Sequence, residues 1–327
     1  MGNNARYLLE GFSSEEFFNF PNIINLEVFR GKCPCSCVHC PVGCVNVDKR
    51  TSRFGLKGVS EGILEKVVSE MKLFPHSTLR LHSVGDPILW DGLISALKYI
   101  KQSGVKSWLF TSLVTRDKNV VEKLAEYCDI VEVSVNSIDE DDYRQTKGIN
   151  AYKQVVENIR YMSSYIHSNN LNTRLVVSRV QTDSDKNDSE FVKYWKDFGL
   201  VADAFVRKYH TYNDILENDL RPVKKKTPCL VHWMRFNISC EGVVVSCFNE
   251  LFRSDLRSDV ILGDIRVSTI QQIWHSDYLS QIREAELNGY DNSSFDNDFP
   301  CRNCRSCQAY GNGNVTSECQ INALNNK

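Results

Sequence analysis

Residues 23–40 read Ile-Ile-Asn-Leu-Glu-Val-Phe-Arg-Gly-Lys-Cys-Pro-Cys-Ser-Cys-Val-His-Cys. The first seven residues form a mostly apolar run with β-branched and aromatic side chains, which predicts a buried strand. Four cysteines fall within the last eight residues, so the strand leads directly into a loop crowded with thiols. This strand and the loop after it are the features from which the fold is predicted.

The chain beyond this junction predicts a regular alternation of strands and helices. Strands are expected at 23–29, 79–82, 107–111, 130–135, 174–180 and 204–208. Helices are expected between them at 60–74, 90–103, 118–127, 151–167 and 190–198. Such alternation predicts a parallel sheet with crossover helices, and six units are fewer than the eight of a closed barrel. We therefore expect an α/β fold with a partial (β/α)6 TIM-type barrel.

The pattern changes after residue 210, where the elements become shorter. A hairpin is expected at 235–247, turning at Glu241–Gly242, and a helix at 268–287. The expected units are an N-terminal segment at 1–22, the barrel at 23–210, a linker at 211–228 and a small α+β domain at 229–327. The segment 1–22 is too short for an N-terminal peptide-recognition domain.

Composition narrows the class of protein. The formal net charge is -2 over 327 residues, so no overall field favours nucleic acid or an anionic membrane. No apolar run approaches the roughly 20 residues that cross a bilayer, and we expect a cytoplasmic protein. The 13 cysteines are an odd number and fall mainly in two groups, at 33–44 and 229–319. In a reducing compartment, two such groups predict two metal or redox sites.

The first group contains the spacing C-x3-C-x2-C in Cys33, Cys37 and Cys40. Three thiolates on one loop can hold three irons of a 4Fe–4S cubane and leave the fourth iron open. Cys35 and Cys44 lie nearby, so other triplets can be drawn. A zinc site is the alternative, because tetrahedral zinc also takes Cys and His ligands, and His39 or Cys44 would supply the fourth.

This arrangement, directly after a first parallel strand, resembles the radical S-adenosylmethionine (radical SAM) superfamily. Val84-Gly85-Asp86-Pro87 resembles the Gly-Gly-Glu-Pro motif that holds the methionine amino group, with Val and Asp replacing Gly and Glu. Ser134 and Asn136 resemble the ribose-binding position, usually Ser-x-Asp, and Lys147–Gly148 also fits the family. Ser178 and Arg179 lie where the family often contacts the methionine carboxylate. The predicted cofactor-binding residues are Gly85, Asp86, Ser134, Asn136, Ser178 and Arg179.

The resemblance implies a cofactor set and a reaction type. Cys33, Cys37 and Cys40 would hold a 4Fe–4S cluster that reductively cleaves S-adenosylmethionine. The resulting 5′-deoxyadenosyl radical would abstract hydrogen from a substrate C–H bond. A flavodoxin- or ferredoxin-type protein would donate the electron.

The second cysteine group has the order Cys229, Cys247, Cys301, Cys304, Cys307 and Cys319. A hairpin turn at Gly242 would bring Cys229 and Cys247 to one end. The spacing and the intervening Leu262-Gly263-Asp264-Ile265 resemble the C-terminal extension called SPASM or, when shorter, twitch. The resemblance implies one auxiliary 4Fe–4S cluster on Cys229, Cys247, Cys301 and Cys304, with a four-cysteine zinc site as the alternative. Cys240 and Cys307 are candidate catalytic hydrogen donors, while Cys319 has no assigned role and Cys128 is expected in the core.

The expected substrate class is a sugar or cyclitol, which would be oxidised or epimerised. Chain length and the Cys229/Cys247 spacing resemble the cyclitol dehydrogenases of aminoglycoside pathways. In a dehydrogenation, the auxiliary cluster would accept the second electron and the carbinol would become a ketone. Modification of a ribosomal peptide is the alternative, and a non-catalytic zinc-binding module is a hypothesis from another class.

Overall fold

A computed structural model describes residues 18–207, 209, 211–212, 215–216, 229 and 231–304. Within these residues, one sheet contains ten strands, and none of the helices is long and apolar enough to span a membrane. The strands are β1 Ile23–Arg30, β2 Lys57–Gly58, β3 Thr78–Val84, β4 Lys106–Thr111, β5 Ile130–Ser134, β6 Arg174–Val180, β7 Asp203–Arg207, β8 Arg235–Ile238, β9 Val243–Val245 and β10 Ile261–Asp264.

The six predicted strands form the parallel centre of the sheet, in the order β1-β3-β4-β5-β6-β7. Their apolar side chains are buried on both faces, as expected for parallel strands covered by helices. This confirms the α/β fold and the parallel core of a partial barrel. The carboxyl ends of all six strands meet at one edge, and the first cysteine group follows the end of β1.

The C-terminal hairpin extends this same sheet. β8 pairs in parallel with β1, with Ile23 opposite Arg235 and Leu26 opposite Ile238. The Nδ2 of Asn25 donates to Oδ1 of Asn237 at 2.8 Å, in the buried interior. β9 and β10 follow as antiparallel strands. The predicted hairpin is therefore present, and it continues the barrel sheet past β1.

Helices cover the outer face of the sheet. They are α1 Val47–Phe54, α2 Glu61–Met71, α3 Leu93–Ser103, α4 Lys118–Tyr127, α5 Glu140–Lys147, α6 Tyr152–Ser168, α7 Asp185–Asp197, α8 Val231–Met234, α9 Ile270–Trp274, α10 Asp277–Asn288 and α11 Pro300–Asn303. The helix predicted at 268–287 is two helices, because Ser276 caps a new start by accepting a hydrogen bond from the N–H of Leu279. α7 begins five residues before the predicted Glu190, because Ser184 caps it there.

The interior of the barrel is layered. An apolar layer of Ile23, Trp108, Ile130, Val176 and Phe205 fills the end where the strands begin. A buried ion network lies next to it, in which Arg207 Nε donates to Glu132 Oε1 at 2.7 Å and Trp108 Nε1 donates to Glu132 Oε2 at 3.1 Å. Burial raises the pKa of Glu132, but the charge of Arg207 outweighs burial and holds that pKa below its usual value. The interior is therefore closed at this end.

Candidate functional site

The cysteine loop, residues 31–46, is fixed by backbone hydrogen bonds to two neighbouring elements. The N–H of Gly31 donates to the carbonyl of Val84 at 2.9 Å, and the N–H of Asp86 donates to the carbonyl of Lys32 at 2.8 Å. On the other side, two carbonyls in the last turn of α5 accept hydrogen bonds from the loop. The N–H of Ser36 donates to the carbonyl of Lys147 at 2.7 Å, and the N–H of Val38 donates to that of Thr146 at 3.1 Å. These bonds use α5 carbonyls that have no partner within the helix. The loop is thus held between the end of β3 and the end of α5.

Arg50, on α1, holds the loop in its folded shape. Its buried guanidinium donates to the carbonyls of Cys33 at 2.9 Å, Cys35 at 2.8 Å and Val45 at 3.0 Å, and to Ser36 Oγ at 2.7 Å. Only the planar, five-donor fork of arginine can bond so many acceptors at once. Because Arg50 belongs to no cysteine motif and α1 was not predicted, its role could not be foreseen from spacing.

Two glycines permit the close approach of backbone to this loop. A Cβ at Gly43 would lie 2.2 Å from the carbonyl oxygen of Cys37, so the loop crosses itself there. A Cβ at Gly148 would lie 2.7 Å from the Cβ of Ser36. Gly148 also ends α5 with a φ of 68°, in the left-handed region that glycine adopts without strain. This explains why glycine follows Lys147 in the family-like motif.

The thiols of the loop lie close together. The side chain of Cys35 is hydrogen-bonded to those of Cys33 and Cys37, and Cys40 interacts electrostatically with Cys37. The Cys33 contact raises the pKa of Cys35 to about 11, and burial raises that of Cys40 to about 11. The thiols of Cys35 and Cys40 are therefore protonated at neutral pH, and a thiol must lose its proton to bind a metal. The more exposed Cys44 points its Sγ towards the carbonyl of Val38, at 3.5 Å.

A set of thiols on one loop has the donor chemistry of an iron–sulfur cluster. Within the described residues, no three His, Cys, Asp or Glu side chains are placed to hold a single metal ion. Burial, with the cations Lys147 and Arg179 nearby, lowers the pKa of His39 to about 3. The imidazole is therefore neutral at physiological pH.

Lys147 places a buried positive charge against this loop. Its Nζ donates to the carbonyl of Ser134 at 2.8 Å and to Ser134 Oγ at 3.2 Å. Burial lowers the pKa of Lys147, but the thiols of Cys37 and Cys35 outweigh burial and raise it above its usual value. The side chain is therefore a permanent cation between the end of β5 and the cysteine loop.

The turn of Gly85 and Asp86 lies against the start of the cysteine loop. A Cβ at Gly85 would lie 2.2 Å from the carbonyl oxygen of Lys32. The buried Asp86 carboxylate accepts from Thr111 Oγ1 at 2.8 Å and from Ser112 N–H at 2.9 Å. Asp86 therefore ties β3 to β4, and its side chain is already occupied. The predicted roles of Gly85 and Asp86 towards a cofactor stay predictions.

The remaining predicted cofactor residues lie on the same edge. Ser134 and Ser178 are register partners on β5 and β6. Asn136 has a φ of 64°, donates to Ser134 Oγ at 2.8 Å and accepts from Val180 N–H at 2.7 Å. The guanidinium of Arg179 is directed to α7, where Nη1 donates to the carbonyl of Asn187 at 3.1 Å. These residues therefore lie at the same edge of the sheet. Their roles in binding a cofactor stay predictions.

Three cysteines of the second group that the structure describes, Cys229, Cys301 and Cys304, lie near one another. Cys301 is buried, interacts electrostatically with Cys304, and has its Sγ 4.0 Å from Ser246 Oγ, next to Cys247. Burial raises the pKa of Tyr290 most, and the charges of Cys301 and Cys229 raise it further, so both cysteines lie near that side chain. Cys229, Cys301 and Cys304 therefore lie near one another, and Cys247 directly follows the Ser246 that contacts Cys301.

A buried acid–histidine pair borders this region and was not predicted. His232 Nε2 lies 3.7 Å from Cys301 Sγ, and His232 Nδ1 lies 3.5 Å from Glu286 Oε1. Burial raises the pKa of Glu286, but hydrogen bonds from His232, the Cys229 N–H and Tyr290 outweigh burial and lower it. Because His232 lies in a short helix and Glu286 lies 54 residues away, no local spacing links them.

Comparison with protein families identifies the chain. Residues 28–192, half of the chain, match the radical SAM superfamily, and residues 229–308 match the SPASM iron–sulfur cluster-binding domain. The chain belongs to the radical SAM superfamily. It is a radical SAM enzyme whose cofactors are a 4Fe–4S cluster, S-adenosylmethionine and auxiliary iron–sulfur. The family match therefore replaces the alternative hypothesis that the chain is a non-catalytic zinc-binding module.

Solved structures share the fold of this radical SAM enzyme. BtrN in complex with AdoMet and 2-DOIA matches at a TM-score of 0.55 and 14% identity, over 87% of this chain and 93% of BtrN. Streptococcus suis SuiB bound to the precursor peptide SuiA matches at a TM-score of 0.62 and 13% identity, over 81% of this chain and 67% of SuiB. The protein anSMEcpe with bound AdoMet and Cp18Cys peptide matches at a TM-score of 0.59 and 12% identity, over 92% of this chain and 94% of anSMEcpe. These identities establish the common fold alone.

One curated relative is an uncharacterised protein of Methanocaldococcus jannaschii. It is 24% identical over 177 residues, which are 54% of this chain and 53% of the relative. The match thus spans about half of that protein.

Of the two cysteines proposed as hydrogen donors, Cys240 and Cys307, the structure describes Cys240. Cys240 is buried in the core between the sheet and the outer helices, and its N–H donates to Glu27 Oε2 at 3.0 Å. It lines an outer cavity of about 490 Å³ together with Lys57 and Arg266. Cys307 and Cys319 lie outside the described residues. The donor role of either cysteine stays a prediction, while Cys128 is buried in the core as expected.

Proposed function

We propose that this radical SAM enzyme oxidises a carbinol carbon of a sugar- or cyclitol-type small molecule, using Cys33, Cys37 and Cys40 for the radical SAM cluster. The auxiliary 4Fe–4S cluster would be held by Cys229, Cys247, Cys301 and Cys304. Epimerisation of the same class of substrate is the related alternative. We propose that the chain is divided into a radical SAM core at residues 23–210 and an auxiliary iron–sulfur domain that begins at Cys229.

One contact carries the proposal. The 3-10 turn Phe248–Phe252, directly after Cys247, packs in one apolar cluster with Val42, Val84, Cys33 and Cys40. The two cysteine groups are thus connected through a few buried side chains. Oxidation of a carbinol requires that a second electron leave the substrate after hydrogen abstraction. An iron–sulfur site so close to the first one supports this direction of reaction over a reaction that needs no electron acceptor.

The chemistry would be divided between cofactors and protein. When bound, the cluster and S-adenosylmethionine supply a carbon-centred radical that removes a hydrogen atom. Arg50, Gly43 and Gly148 hold the cysteine loop, and the β3–β4 and β5–β6 edge positions the cosubstrate. His82 projects into the interior and packs against Phe248, with ring centroids 4.5 Å apart and the rings tilted by 42°. Burial lowers the pKa of His82 well below its usual value, so its imidazole is neutral at physiological pH.

The second candidate is modification of a peptide. It is supported by the fold shared with SuiB, whose structure holds a precursor peptide, and with anSMEcpe, whose structure holds a peptide. The described part of this chain offers no feature that selects a peptide over a cyclitol.

Product analysis tests the proposal. We expect anaerobic protein to convert a cyclitol or sugar alcohol to a ketone, with 5′-deoxyadenosine formed one for one. The Cys301→Ala/Cys304→Ala variant should still cleave S-adenosylmethionine but form at least about tenfold less ketone, because the second electron has no acceptor. Cys240→Ala is the control for dehydrogenation and should leave ketone formation unchanged. Deuterium from solvent on an inverted product carbon would establish epimerisation, and turnover of peptides alone would contradict the proposal.

A further inference from the structure

One face of helix α10 fixes both the backbone and the ring of His232, which lies on the short helix α8. The Nε of Arg283 donates to the backbone carbonyl of His232 at 2.9 Å, and Glu286 Oε1 lies 3.5 Å from His232 Nδ1. Arg283 and Glu286 are three residues apart, and such side chains are neighbours on the surface of an α-helix. The position and the orientation of the imidazole are therefore set by α10.

Glu286 also holds the backbone of a proposed cluster ligand. Its Oε2 accepts from the N–H of Cys229 at 2.6 Å, and its Oε1 accepts from the hydroxyl of Tyr290 at 2.9 Å. The side chains of Glu286 and His232 are each only 2% exposed, so solvent does not separate them. Carboxylates placed behind the groups around a metal site commonly fix the orientation of those groups. Glu286 thus connects the Cys229 backbone to the His232 ring.

The second ring nitrogen of His232 faces Cys301. His232 Nε2 lies 3.7 Å from Cys301 Sγ in a hydrogen-bonding contact, and Ser246 Oγ lies 4.0 Å from the same sulfur. Cys301 is buried, and a polar contact is electrostatically stronger in the interior than in water. One imidazole therefore joins the Glu286 carboxylate to the sulfur of Cys301.

The surroundings of Cys301 fit an iron–sulfur cluster whose reduction is sensitive to this contact. Cys229 and Cys304 lie near Cys301, and thiolates are the ligands that such clusters take. A second carboxylate, that of Glu250, also acts on Cys301 and is bonded to Arg253 Nε at 3.1 Å. Reduction adds negative charge to a cluster, and hydrogen bonds to the ligand sulfurs stabilise that charge. Buried carboxylates oppose it, so the contact from His232 has a large effect here.

We propose that His232, held by Glu286 and Arg283, hydrogen-bonds the sulfur of Cys301 and thereby raises the reduction potential of the auxiliary cluster. The inference rests on the ligands and the oxidation of the proposed function. In that oxidation, the substrate radical loses one electron to the auxiliary cluster and its hydroxyl proton to solvent as the C=O bond forms. A raised potential favours this electron transfer. His232 acts through Cys301 and is a positioning residue.

Two amide variants that differ in length by one methylene group test this role. In His232→Asn, the amide lies near the position of Nδ1, so it stays beside Glu286 but does not reach Cys301. In His232→Gln, the amide N–H reaches the position of Nε2. Both variants are made in Cys33→Ala/Cys37→Ala/Cys40→Ala protein, so that the auxiliary cluster is titrated by itself. An EPR-monitored redox titration measures its potential.

The Asn variant should have an equilibrium constant for reduction at least about tenfold lower, which is a shift of about 59 mV for one electron. The Gln variant should change that constant by less than about twofold. His275→Asn is the matched control, since it is the same substitution at an exposed histidine whose Nε2 lies 3.2 Å from the carbonyl of Asn19. It should leave the potential unchanged.

An unchanged potential in the Asn variant would overturn the inference, as would equal shifts in the Asn and Gln variants. An Asn variant that holds no cluster would assign His232 to assembly of the site and would likewise overturn its role in setting the potential. If the same cluster persists after Cys301→Ala/Cys304→Ala is added, the ligand assignment of the proposed function is wrong instead.

Discussion

Arg50→Met protein, reconstituted anaerobically with iron and sulfide, should hold less than about a fifth of the parental radical SAM cluster. The buried guanidinium bonds the carbonyls of Cys33, Cys35 and Val45 together with Ser36 Oγ. Each buried acceptor left without a partner costs roughly 1–3 kcal/mol, so the folded loop is strongly disfavoured without Arg50. Iron and sulfide analysis with absorbance near ~400 nm measures the effect.

Arg53→Met is the matched control for this prediction. It is the same substitution on the same helix, at an exposed position whose side chain makes no hydrogen bond to the cysteine loop among the described contacts. It should assemble the parental amount of cluster. Equal cluster content in the Arg50 and Arg53 variants would show that the loop does not depend on the guanidinium.

Lys147→Met should lower the reduction potential of the radical SAM cluster by about 90 mV. The buried ammonium lies between Ser134 and the thiols of Cys37 and Cys35, where it stabilises added negative charge. A loss of about 2 kcal/mol of Coulomb energy is reasonable at an effective dielectric constant of ~20, and reduction adds one electron. An EPR-monitored redox titration measures the potential.

The exposed Lys153 provides the comparison for this second prediction. Lys153→Met removes the same charge from the surface, where solvent screens it, and should shift the potential by less than about 20 mV. If the two variants shift the potential equally, Lys147 does not act on the cluster through its burial. Loss of cluster in the Lys147 variant alone would assign the residue to assembly of the site instead.

The features that sequence predicts well here are local ones. The six parallel strands are apolar runs, and the cysteine groups are visible as spacings, so both were predicted. α1 and α5 were missed because they are polar helices with few buried residues, among them Arg50, Phe54 and Tyr143. Their starts are set by the capping side chains of Asn46 and Asp139, which accept hydrogen bonds from Asp48 and Asp142 N–H.

Other features that the sequence does not predict depend on partners far apart in the chain. β8 pairs with β1 through residues more than 200 positions away, including Asn25 and Asn237. The carboxylate of Asp86 accepts hydrogen bonds from Thr111 and Ser112, which its motif alone does not reveal. Such pairing is fixed by tertiary packing, which spacing along one segment does not reveal.

Cleavage of S-adenosylmethionine is the most direct test of the central claim. Anaerobic protein with dithionite should release 5′-deoxyadenosine and methionine, and the Cys33→Ala/Cys37→Ala/Cys40→Ala variant should release at least about a hundredfold less. The Cys35→Ala/Cys44→Ala variant, changed in the same loop, should retain this activity. Retained cleavage in the triple variant, or none in parent protein that carries a full complement of iron and sulfide, would contradict the account.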